Sequence, residues 1–117
     1  MTETQSLAID ILNLVPDDST CFINAPSLNE DSDILKLLQP TSRDHYDWEL
    51  KLTTDNKRKL TELIISDEVE TSFHRIDIEK EDNFLFIAYD GFSGIKVKSR
   101  DVVPDWFAEK YSDTLMF

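Results

Sequence analysis

Phe84-Leu85-Phe86-Ile87-Ala88-Tyr89 is an unbroken apolar run set between the polar stretch Glu79-Lys80-Glu81-Asp82-Asn83 and the breaker Asp90-Gly91. A run this short, rich in aromatic residues and bounded by turn signals, reads as a strand covered on both faces, the middle of a sheet. Upstream, Phe73-His74-Arg75-Ile76-Asp77-Ile78-Glu79 alternates with period two, and downstream Ile95-Lys96-Val97-Lys98 does the same. Both neighbours are therefore expected to be half-buried strands.

Register follows from the connections. A two-residue loop joining Lys80 to Asn83, or Glu81 to Phe84, sets Ile78, Ile76 and His74 on the face of Leu85, Ile87 and Tyr89. The next loop, from Asp90 to Gly94, then brings Ile95 opposite Tyr89 and Val97 opposite Ile87. Burial of an aliphatic or aromatic side chain is worth roughly 1.5–3 kcal/mol, so a slip that turned these residues to water is strongly disfavoured. The opposite face is expected to mix Phe84, Phe86, Ala88 and Phe73 with Arg75, Asp77, Glu79, Lys96 and Lys98. Either another part of the chain or the lysine stems cover those aromatics, or they form an exposed strip rimmed by charge, suited to docking a partner.

A length of 117 residues favours one domain, spanning 1–117 and large enough for its own core. With 40% hydrophobic residues the chain is expected to be globular rather than disordered. The single Cys21 excludes an intrachain disulfide framework and reads as a buried strand residue. No apolar stretch is long enough to span a bilayer and no signal-peptide pattern follows Met1, so a cytoplasmic home with no membrane partner is the expectation.

Charge is the most unusual bulk property, a formal net of −12 from 24 acids and 12 bases. Residues 1–39 carry seven acids and one base, and residues 67–90 carry eight and two, while 40–66 and 91–117 are each balanced. The excess thus sits in two blocks. Clustered Lys and Arg, needed for phosphate contact, occur only at Lys57-Arg58-Lys59, which argues against direct nucleic-acid binding. A basic protein partner fits the charge better, although acidic surfaces also serve solubility alone.

Leu7, Ala8, Ile11, Leu12, Leu14 and Val15 fall at helical spacing, with Thr2 and Gln5 placed for a capping box, so residues about 3–15 form an amphipathic helix stopped by Pro16. Thr20-Cys21-Phe22-Ile23-Asn24 reads as a strand after the turn residues Pro16-Asp17-Asp18-Ser19. A short helix through Ile34, Leu35, Leu37 and Leu38 follows, ended by Pro40. Tyr46, Trp48, Leu50 and Leu52 alternate with polar residues as another half-buried strand. Thr54 or Asp55 opens a helix to about Ser66 that turns Leu60, Leu63 and Ile64 inward. Pro104 introduces a short helix in which Trp106 or Phe107 closes an edge of the sheet, and the apolar tail Leu115-Met116-Phe117 is expected to pack on the body or on a partner. The fold class is therefore α+β: about five mainly antiparallel strands, with helices mainly on one face.

Catalytic signatures are missing. His45 and His74 sit in no metal-binding spacing, and Glu30-Asp31-Ser32-Asp33 with Asp17-Asp18 lacks the glycine and distal glutamate of a calcium loop. No cofactor or metal is expected. Two glycines, Gly91 and Gly94, supply no phosphate-cradling loop. His74 is expected at the end of the core face, near Tyr89, as a hydrogen-bonded structural residue.

The stretch Phe84 to Phe92, then Gly94-Ile95, then Val103-Pro104-Asp105-Trp106-Phe107 weakly resembles a layout found among small acidic bacterial toxin-immunity proteins. The resemblance covers roughly a quarter of the chain, contains no diagnostic residue, and assigns no site. It implies an intracellular inhibitor that occludes the active site of a cognate basic toxin, a nuclease in the first instance. Carboxylates would replace nucleic-acid phosphates there. Candidate contacts are Asp17, Asp18, Glu30, Asp31, Asp33, Asp67, Glu68 and Glu70, with Phe84, Phe86 or Trp106 as anchors. Two alternatives remain open: a nucleic-acid mimic that inhibits a DNA- or RNA-binding protein, and a small enzyme with a cleft near His74, Tyr89 and Asp90.

Overall fold

In the computed structural model, residues 2–26, 28, 31–66 and 73–117 are described. The chain runs α1 (Glu3–Leu14), β1 (Ser19–Asn24), a single 3₁₀ turn (Asp33–Lys36), β2 (Gln39–Pro40), β3 (Trp48–Leu52), α2 (Thr54–Ile65), β4 (Arg75–Lys80), β5 (Asn83–Tyr89), β6 (Gly94–Val97), a second 3₁₀ turn (Arg100–Val102), α3 (Asp105–Lys110) and β7 (Leu115–Met116). One seven-stranded sheet in the order β2-β3-β1-β4-β5-β6-β7 holds it together, antiparallel throughout except for the β6–β7 pair. The two strands beyond the expected five are the two-residue edges β2 and β7.

Helix α1 begins as the sequence indicates. Thr2 accepts from the Gln5 backbone N–H at 3.1 Å, and the Gln5 side chain accepts from the Thr2 N–H at 2.7 Å. Gln5 also donates to the Ile64 carbonyl at 2.9 Å, tying α1 to the end of α2. Ala8, Ile11 and Leu12 of α1, with Leu60 and Ile64 of α2, close over Cys21, Ile23, Ile76 and Ile78. Helix α3 packs on the same side, where Phe107 meets Phe86 edge-on at 6.1 Å. Its following residue, Tyr111, donates to Asp10 of α1 at 2.5 Å. All three helices therefore cover one face of the sheet.

The β4–β5 turn is the two-residue loop between Lys80 and Asn83, but the register beyond it differs from the sequence expectation. Glu79 pairs with Phe84 and Ile78 with Phe86, so Leu85 is left as a bulge and the faces exchange. Ile76 and Ile78 share their face with Phe86 and Ala88, not with Ile87 and Tyr89, while the half-buried Leu85 packs against the margin of the core. Ile95 and Val97 accordingly pair with Ala88 and Phe86. One extra residue is enough to invert the strand, because side chains alternate with period two. Phe86 is 1% exposed at the centre of the core, so it leaves the mixed face on which the sequence placed it.

Among the described residues that second face carries no helix and is covered by side chains. Tyr46, outside β3 and just after the turn in which His45 has φ 72°, lies on the opposite side from Trp48, Leu50 and Leu52, because the chain bends at Asp47 before the strand begins. Tyr46 lies beside Phe22, and the Arg43 guanidinium stacks 4.3 Å from the Phe22 ring centre while pairing with Glu79. Arg75 sits between the Tyr46 and Tyr89 rings and binds Asp77 at 2.9 Å. Asp77, 4% exposed, accepts from Arg75 at both carboxylate oxygens, at 2.9 and 3.4 Å, so the buried charge is paired and hydrogen-bonded. Of the covers expected for the aromatics of this face, the lysine one is present, Lys96 lying 5.6 Å from the ring centre of the half-buried Phe84, while Arg43 and Tyr46 cover Phe22, a ring outside that expectation.

Candidate functional site

Antiparallel pairing of β1 with β4 places the start of β1 beside the β4–β5 turn. Asp17 and Asp18 precede β1, while Glu79, Lys80, Glu81 and Asp82 end β4 and form that turn. Carboxylates from the two acidic blocks thus meet at one end of the sheet. Between them lies a depression of about 280 Å³ lined by Asp18, Thr20, Phe22, Lys51, Glu79, Lys80, Glu81 and Asp82. Four carboxylates against two ammonium groups leave its rim negative.

The carboxylates at this end fall into two kinds. Asp17 is engaged: it accepts from the Lys57 ammonium and the Thr54 hydroxyl, both at 2.9 Å. The Lys57 bond, then the Thr54 bond, hold its carboxyl below the ordinary range. Lys57 also reaches the Val15 carbonyl, and Lys80 the Asp17 carbonyl, so the turn before β1 is anchored by two lysines. By contrast, Asp18, Glu81 and Asp82 make no ion pair among the described residues. All three are exposed and all three have positive φ, at 66°, 52° and 66°.

The other expected contacts fare differently. Glu30, Asp67, Glu68 and Glu70 lie outside the described residues. Asp31 and Asp33 follow the far end of β1, in the segment entering the first 3₁₀ turn, where Asp33 pairs with Lys36. They do not join Asp17 and Asp18. Phe86 is removed as a surface anchor by its burial. Trp106 is 49% exposed on α3, near the opposite lateral edge of the sheet, while its neighbour Phe107, fully buried, closes the core. His74 is exposed rather than packed on the core face; its backbone N–H donates to Asn24 and its carbonyl accepts from Asp90.

Sequence reading missed the part of Glu79, Glu81 and Asp82. The two-residue turn was visible, but the neighbour relation of β1 and β4, which brings Asp17 and Asp18 alongside it, left no local signal. Among the described residues no group of three or more His, Cys, Asp or Glu is placed to hold a metal ion, and no helix is long and apolar enough to cross a membrane. No family model, curated protein or solved structure matches the chain.

Proposed function

We propose that this chain is a binding protein rather than an enzyme, an intracellular inhibitor of the immunity class that covers a cationic active site on a basic toxin, a nuclease being the first candidate. One observation carries the reading: Asp18, Glu81 and Asp82, contributed by segments more than sixty residues apart, stand together around one depression with no ion-pair partner among the described residues. Carboxylates held this way attract a lysine- or arginine-rich surface and accelerate its approach, and they release it as salt rises. The anchored lysines Lys57 and Lys80 fix the turn that presents them.

The test is capture from a lysate of the source cell. The immobilised chain is expected to retain a basic protein at low ionic strength and to release it near 0.5 M salt, roughly where the Debye length falls to a few ångströms. The triple variant Asp18→Lys, Glu81→Lys, Asp82→Lys loses that protein. Retention undiminished in the variant would overturn the assignment of the surface, and no basic protein at low salt would overturn the reading itself.

A further inference from the structure

Two residues that line the acidic depression, Phe22 and Glu79, already hold a cation of the protein's own chain. The Arg43 guanidinium lies 4.3 Å from the Phe22 ring centre and 5.3 Å from that of Tyr46, and it pairs with the Glu79 carboxylate. A planar, weakly hydrated guanidinium stacks on rings while its edge bonds a carboxylate, a combination that an ammonium group does not match. Two rings and a carboxylate therefore make a guanidinium seat, and Arg43 fills it. Lys51 and Lys80 also line the depression, yet among the described residues neither makes an ion pair or a ring contact. The backbone that carries Arg43 is held independently of the seat. Thr41 donates to Glu49 at 3.2 Å, the Asn24 amide donates to the His45 carbonyl at 2.8 Å, and the Asp47 N–H donates to the Ile23 carbonyl at 2.9 Å. With 38% of its side chain exposed, Arg43 can leave by rotating that side chain alone.

We infer that the partner of the acidic end presents an arginine side chain, whose guanidinium takes the seat that Arg43 holds in the free protein. This rests on the proposed function and names the group that is recognised. Exchange is close to even at the seat itself, since one stacked and paired guanidinium replaces another. The gain lies beside it: a chain that brings its arginine in through the depression also meets Asp18, Glu81 and Asp82, whereas Arg43 pairs with Glu79 alone. Arg43 is thus an internal competitor. While seated, it neutralises Glu79 and covers the Phe22 ring, and it holds the free protein in a form ready for arginine rather than for cations at large. A half-exposed ion pair together with a cation–ring contact weakens the incoming arginine by about fivefold.

Titration of the chain at low salt with two peptides of equal length and charge, one built on arginine and one on lysine, tests the inference. The wild-type protein is expected to bind the arginine peptide about fivefold more tightly. The same peptide should carry the Arg43 Nε–Hε resonance from its ring-shifted position toward that of free arginine, a readout that needs no substitution. Arg43→Ala is expected to bind the arginine peptide about fivefold more tightly than wild type, and Lys36→Ala, the same loss of charge at an exposed side chain of the first 3₁₀ turn, by less than about twofold. Three results would overturn the exchange and leave the proposed function standing: equal affinity for the two peptides, an Arg43 resonance that stays in place while Asp18 and Lys80 to Asn83 shift, or Arg43→Ala binding no tighter than Lys36→Ala. Binding of neither peptide would overturn both.

Discussion

Asp17 shows how a single carboxylate at the acidic end is spent on structure rather than on recognition. Its Lys57 and Thr54 bonds hold the folded carboxyl below its ordinary value of 3.8. Its stabilising contribution is therefore complete at neutral pH, present above the unfolded value, and lost as pH falls through 3.8 toward the lower folded midpoint. Carboxyl NMR should find the Asp17 midpoint below 3.8, and Lys57→Met should move it back up. No movement in Lys57→Met would contradict the pairing. Glu81 and Asp82 are the converse: both occupy positive φ in a two-residue turn that Asn-Gly fills with less strain. Glu81→Asn with Asp82→Gly should stabilise the chain by about 1 kcal/mol in urea unfolding while weakening capture of a basic partner. Loss of stability would mean the turn is not strained as described.

The element that decides the fold is β5, and its bulge at Leu85 is where sequence reasoning went astray. The capping box of α1, the span of α2 and the alternation of β3 from Trp48 onward were all legible, because periodicity and capping are local. A bulge is not, since Leu85, Phe86, Ile87 and Ala88 are apolar on either assignment and no period distinguishes the faces. The same holds for β2 and β7, two residues each and too short to show a pattern. The structure gives a sharp contrast: Phe86→Ala should cost about 3–5 kcal/mol, and Leu85→Ala less than about 1.5, in equilibrium urea unfolding. The register expected from a continuous ladder reverses that order. On the helix-free face, Arg75→Met removes the guanidinium bonded to the buried Asp77 carboxylate and should cost about 1.5–3 kcal/mol; a neutral result would mean that Arg75 does not support Asp77.

At the scale of the whole molecule, charge blocks separated along the sequence become partly joined in space. The β1–β4 pairing brings Asp17 and Asp18 to Glu79, Glu81 and Asp82, but leaves Asp31 and Asp33 past the other end of β1. Composition announced an acidic protein; only topology says which carboxylates act together. The helix-free face meets that acidic surface at Phe22 and Glu79, which line the same depression and which Arg43 stacks on and pairs with, while Arg75 and Lys96 lie against rings outside it. The account therefore turns on whether a cation finds the β1 start and the β4–β5 turn in preference to everything else. A titration of ¹⁵N-labelled chain with a lysine-rich peptide at low salt measures this directly. The account predicts shifts concentrated at Asp18 and at Lys80 to Asn83, abolished by Asp18→Lys with Glu81→Lys; shifts spread evenly over all exposed carboxylates, or centred on Asp31 and Asp33, would contradict it.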